Sequence, residues 1–210
     1  MKKILAYWTV TLILYGVLLV LTQTYEILSM FYHFVLLFFP LVLILSKTET
    51  FDSLGFKRGK VKEAILWSSV IFIGSVGGIY FNAFLLHKTV SLVFNPSFSF
   101  ITSITLGPVS EEIFHRGLLQ TKFEKLLGKT KGLILASVLF ALAHVPKLLF
   151  AKSYVLASTP LPFISTPIII LFQFFLAGIV FGYIYQETKS INYAIIAHIF
   201  LNLNLEIFVY

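Results

Sequence analysis

Cysteine is absent from the 210 residues, which excludes disulfides, thiolate zinc sites and a cysteine nucleophile and leaves the redox compartment undetermined. Aspartate occurs once, as Asp52 in a charged stretch, so a two-aspartate catalytic pair is impossible. The five histidines never take His-Glu-x-x-His spacing, and no Gly-x-Ser-x-Gly turn occurs. Charge itself is scarce. Only 12% of residues are charged, against about 25% in a soluble domain. Internal repeats and low-complexity tails are missing too.

What remains is apolar: 58% hydrophobic residues and a mean hydropathy of +0.93. Apolar runs at 4–22, 27–45, 64–86, 99–121, 132–146, 167–185 and 191–209 each approach membrane-spanning length. The expected fold is all-α, a polytopic transmembrane helical bundle of about seven spans. A membrane β-barrel fits poorly, because its strands alternate over only about ten residues. Lys2 and Lys3 before an apolar run resemble a signal peptide, but the run is too long and no small-residue cleavage site follows, so it reads as a retained first helix. Residues 1–98 then hold three spans and a charged loop at 46–63, whose Leu54-Gly55-Phe56 is expected to dip into the membrane interface. Gly74 and Gly78 are spaced for a close helix contact. Residues 99–210 hold four further spans, with a loop rich in Pro, Ser and Thr at 147–166.

The net charge of +7 is a matter of topology rather than of a partner. Placing the N-terminus in the cytoplasm puts 12 Lys and Arg on the inner side and 3 (Lys88, Lys147, Lys152) outside, with Arg116 intramembrane. That bias predicts the C-terminus outside. It needs the weakly hydrophobic run at 99–121 to count as a span. Nucleic acid is not an expected partner, since no polar domain interleaves basic and stacking residues; the lipid bilayer is.

Ionisable groups in a bilayer cost roughly 2.5–3.5 kcal/mol each on insertion scales, so they mark function. Glu111, Glu112, Arg116, His144 and His198 are such groups, with polar Asn202 beside the last. At 100° per residue Glu112 and Arg116 share a helix face, as do Glu111 and His115, and all four fit within about 140°. At 1.5 Å per residue Glu111, His144 and His198 lie roughly 15, 20 and 12 Å from the basic ends of their runs. Three helices therefore bring them to one depth. Plainer roles compete: an ion pair for Glu112 with Arg116, and inter-helix hydrogen bonds for His144, His198 and Asn202. His115 either tunes Glu111 or fills space; His33 and His87 read as structural or interfacial. Glu111 is left without an obvious counter-ion, as a general base would be. Pro108 either kinks a continuing helix or starts one, and each arrangement opens a polar pocket at Glu111. The chemistry these residues permit is a glutamate-activated water assisted by histidines, with an amide or imidazole donor for the oxyanion.

The motif "EEIFHRG" (111–117) resembles the Glu-Glu-x-x-x-Arg signature of the CAAX-processing and bacteriocin-processing intramembrane endopeptidases, the CPBP or Abi family that includes the Rce1-type enzymes. "FALAH" (140–144) and "HIFLN" (198–202) resemble its Phe-x-x-x-His and His-x-x-x-Asn motifs, and Gly178, Gly182 and Thr188 also sit where such proteins carry small or polar residues. The resemblance covers about residues 99–205. It implies Glu111 as the water-activating carboxylate, His144 helping to hold the water, Glu112 and Arg116 shaping the site, and His198 with Asn202 as oxyanion hole. If such enzymes use a metal, Glu111, His144 and His198 would suit Zn2+ with one open position; the same groups suffice without one, which is the favoured arrangement. His115 departs from the family, which has an aromatic there. The expected activity is endopeptidase cleavage near the C-terminus of a membrane-associated protein or peptide, with C-terminally prenylated or otherwise lipidated ones included but not required. A catalytically idle scaffold or immunity protein, or an ion-coupled transporter, are the alternatives.

Overall fold

The computed structural model describes residues 1–22, 25–85, 87–94, 96–150 and 167–209, and these form an all-helical bundle apart from one two-residue ladder. A lone apolar span must be helical, because nothing in lipid satisfies its backbone N–H and C=O groups. Among the described residues, four stretches are long and apolar enough to cross a membrane: Lys2–Val20, Val61–Leu85, Lys129–Leu149 and Ile168–Thr188. Met30–Leu45 and Ile191–Ile207 are shorter apolar helices.

The helices α1 (Lys2–Thr22), α2 (Tyr25–Leu45) and α3 (Val61–Leu85) follow the first three apolar runs closely. The run at 99–121 does not form one rod. It divides into α4 (Phe98–Ile104), α5 (Leu106–Glu112), a π-helical segment (Ile113–Gln120) and α6 (Thr121–Leu127). Thr105, at φ −123° and ψ −80°, makes the first break. Pro108 is then the third residue of α5, where a backbone N–H would have no partner within the helix. Of its two expected roles, the structure takes the helix start.

The remaining helices are α7 (Lys129–Leu142), α8 (Val145–Phe150), α9 (Pro167–Thr188) and α10 (Ile191–Ile207). α7 packs along α6 and α9, α10 lies against α3 and α9, and α1 lies against α2 and α8. α2 packs on α5 and the π-helical segment. Between apolar helices in lipid, close packing and polar ties replace the hydrophobic drive. Gly178 supplies the first on α9: a Cβ there would stand 3.0 Å from Ser137 of α7. Asn204 of α10 supplies the second, donating to Ser75 Oγ of α3 at 2.6 Å.

Three expectations are corrected. Gly74 and Gly78 face open space and make no close helix contact. Leu54 is buried in the protein core with Phe114 and Leu118, not placed in the membrane interface. Its backbone carbonyl would lie 2.7 Å from a Cβ at Gly117, so the loop at 46–63 seats directly on the π-helical segment. Lys147 belongs to helix α8 and is buried, so it is not an outer-loop charge. The rest of the loop expected at 147–166, from 151 on and with Lys152, lies outside the described residues.

The two ends of the bundle differ. At one, the loop at 46–63 meets α6 through Glu49 and Lys122, and meets the α9–α10 turn through Ser190 Oγ to the Lys57 carbonyl at 2.6 Å. Basic residues of three separate sequence regions thus gather there. At the other, β1 (Ser91–Leu92) pairs antiparallel with β2 (Phe208–Val209).

Candidate active site

Glu111 and Glu112 are consecutive, so a helix turns them about 100° apart and gives them different neighbours. Glu112 points into the bundle and is fully buried. Its Oε2 lies 3.1 Å from Arg116 Nε, one turn on, and its Oε1 is 2.9 Å from His198 Nδ1 on α10. A buried carboxylate is tolerable only with such partners. Glu111 turns toward α2, where its Oε1 is 3.9 Å from His33 Nδ1. Lys147, His198, Glu112 and Arg116 also act on it electrostatically. Glu112 therefore takes the arginine, as expected, and Glu111 does not.

Arg116 is held from three sides. Its Nη2 donates to the Gly178 carbonyl on α9 at 3.1 Å, and its guanidinium lies 4.3 Å from the centre of the Phe140 ring. One turn further, Gln120 Nε2 donates to the Gly182 carbonyl at 3.0 Å. Residues 116 and 120 thus step along carbonyls 178 and 182, which the two glycines leave uncovered.

Phe140, on α7, is the hub of the cluster. The rings of His115, His144 and His198 lie 5.3, 5.0 and 6.0 Å from its centre. His144 Nδ1 bonds the Phe140 carbonyl at 2.9 Å, so that nitrogen carries the hydrogen and Nε2 is the basic edge. The ring stacks on Phe174 at 3.7 Å. His115 bonds the Glu111 carbonyl through Nδ1 at 2.9 Å and wedges between Phe114 and Phe140. It fills space in an aromatic cluster and touches the backbone of Glu111, not its carboxylate. His198 stacks on Phe181 at 4.4 Å.

The motif residues from three sequence regions are thereby brought together, with one qualification of role. Asn202 sits one turn beyond His198, yet its Nδ2 donates to the Ser103 carbonyl on α4 at 2.8 Å, which commits one of its two amide hydrogens. Glu111, His144 and His198 do not form a ligand set: among the described residues no three His, Asp or Glu side chains are grouped to hold a metal ion. The donor geometry does not fit Zn2+ as it stands.

Two polar neighbours escape a motif search. His33, on α2, was expected to be structural or interfacial; the structure buries it beside Ser110 and Glu111. Its signal was a lone ionisable group in an apolar run. Lys147 acts electrostatically on Glu111, His33 and His144, and its signal was its place three residues after His144. His87 lies exposed at the end of α3, away from the cluster.

The same three motifs lie within residues 93–204, which match the family described as type II CAAX prenyl endopeptidase Rce1-like, just over half of the chain. The chain belongs to the Rce1-like family. Among curated proteins and among solved structures nothing matches it. Rce1-like membership makes it a protease-family protein of the intramembrane endopeptidase type, and with its apolar helices an integral membrane protein. The Rce1-like match leaves out α1, α2 and α3, and His33 with them.

Proposed function

We propose that this Rce1-like protein hydrolyses a peptide bond near the C-terminus of a membrane-associated, prenylated protein or peptide, using water activated by Glu111. The observation that carries the proposal is the division of labour between the paired carboxylates. Glu112 is committed to Arg116 and His198, whereas Glu111 has no arginine and keeps a carboxylate oxygen for water.

In the proposed reaction, Glu111 takes a proton from water as its oxygen adds to the scissile carbonyl carbon. His144 holds the water from the Nε2 edge that its bond to Phe140 leaves basic. The carbonyl oxygen becomes an oxyanion, received by the Nε2 side of His198 and the second amide hydrogen of Asn202. Glu112 steadies His198 through Nδ1 and so holds the ring with its Nε2 side toward the oxyanion. Glu111 then returns its proton to the leaving nitrogen as the C–N bond breaks, giving a carboxylate product and an amine. No metal is used. The N-terminus is cytoplasmic and the C-terminus outside, a topology supported by the basic loops meeting at one end of the bundle.

The test is cleavage of an internally quenched peptide ending in a farnesylated Cys-a-a-X sequence, with the protein in liposomes. Glu111→Gln should lower the rate by about 10²- to 10⁴-fold, the share of a general base, without changing the melting temperature. Unchanged turnover would sink the glutamate–water mechanism. Equal cleavage of the unprenylated peptide would remove the prenyl group from the substrate class.

A further inference from the structure

His33 comes from α2, outside the family-matched stretch, yet it reaches the two residues where the site begins. The ring is buried, with Nδ1 2.9 Å from Ser110 Oγ and 3.9 Å from Glu111 Oε1. Hydrogen counting points to one tautomer. Ser110 has one hydroxyl hydrogen, and its Oγ lies 3.0 Å from the Gly107 carbonyl, which can only accept. The Ser110 hydrogen is therefore spent on Gly107, and Oγ accepts from His33. The ring hydrogen is on Nδ1, and that N–H also faces the nearer Glu111 oxygen.

The other edge of the ring faces Gly107, where an added Cβ would meet Nε2 at 3.6 Å, an ordinary packing distance. The 3.9 Å gap to Glu111 exceeds a hydrogen bond. The ring thus borders the carboxylate on its α2 side without being bonded to it.

We propose that His33 is a positioning residue for Glu111: its Nδ1–H, anchored on Ser110, limits how the carboxylate turns and presents it to the water. The proposal rests on Glu111 being the water-activating group. It adds to the site a residue from the N-terminal helices.

The experiment compares His33→Ala, His33→Asn and His33→Gln in the full chain in liposomes, on the farnesylated quenched peptide, with Glu111→Gln alongside. The Asn amide nitrogen stands near the place of Nδ1, and the Gln amide nitrogen near that of Nε2. His33→Ala and His33→Gln should lose about tenfold or more in kcat, the worth of one hydrogen-bonding group, with KM little changed. His33→Asn should recover most of that loss. A wild-type kcat in His33→Ala, or Gln rescuing as well as Asn, would overturn the proposal. Should His33→Ala fail to fold, the Asn and Gln pair decides. Ring nitrogen-15 spectra give a readout free of activity: the hydrogen on Nδ1 is expected, and an Nε2–H ring would overturn the assignment. If Glu111→Gln is as active as wild type, the function proposed for Glu111 fails and this inference falls with it; if Glu111→Gln is dead and His33→Ala is normal, only the inference fails.

Discussion

Two adjacent glutamates carry different burdens because a single residue step rotates them toward different helices. Glu112 is structural in its energetics. It is fully buried between Arg116 and His198, so removing the arginine strands a charge in an apolar interior. Arg116→Ala should destabilise the fold by about 3–5 kcal/mol, the usual cost of breaking a buried pair, measured by denaturation in detergent micelles. A loss under about 1 kcal/mol would match an exposed pair instead. Glu111→Gln should leave stability almost untouched. Metal removal is the other check at this scale. Exhaustive chelation should leave peptide cleavage within about twofold of its starting rate, since among the described residues no three donors are grouped as a structural or catalytic zinc requires. Lost activity restored by added zinc would overturn the metal-free arrangement.

At the scale of the element, the π-helical segment carries two members of the buried polar cluster. π-bulges recur at functional sites because they re-aim side chains within a helix. Here the segment carries His115 and Arg116 and begins directly after Glu112. Gly117 within it lets the Leu54 carbonyl approach, and Ile191 closes on the same spot. Gly117→Ala should therefore cost about 1–3 kcal/mol, as overpacking does, and should lower activity by shifting Arg116. Gly74→Ala is the contrast. Nothing lies within 4 Å of its Cβ position, so helix propensity alone should make it neutral or stabilising by about 0.5–1 kcal/mol. Equal losses in the two variants, read from melting curves, would mean that the close contact at Gly117 is not what matters.

For the molecule as a whole, the loop at 46–63 links the N-terminal helices to the site-bearing helices, and Glu49 is its electrostatic clasp. Burial pushes the Glu49 carboxyl up, but hydrogen bonds from Lys122 and Ser53 and the charges of Lys122 and Lys125 outweigh that, so it lies below its ordinary value of 4.5. A pKa lower in the folded state means stability that is present above the unfolded value and lost as pH falls through the folded one. Denaturation below about pH 4.5 should thus be flatter in Glu49→Gln than in wild type. The effect should be modest and weaker in high salt, since the pair sits at a solvent-facing end. Identical acid profiles would show that the clasp contributes nothing.

Composition and hydrophobic run lengths alone determined the helical membrane fold, because lipid admits no other use for such segments. The three motifs were equally legible, since a charge in an apolar run stands out without any geometry. Helix arithmetic at 100° per residue also paired Glu112 with Arg116 correctly. What only the tertiary structure decided were contacts between residues far apart in the chain. These include Glu112 with His198, three histidine rings about Phe140, Asn202 tied to Ser103, and His33 set against Ser110 and Glu111. The break at Thr105 and the π-helical turns belong there too, because neither has a signature in the run's composition or spacing. Polarity along a chain says which groups must find partners. Packing in three dimensions chooses the partner, and here it set one glutamate in an ion pair and left the other facing a histidine.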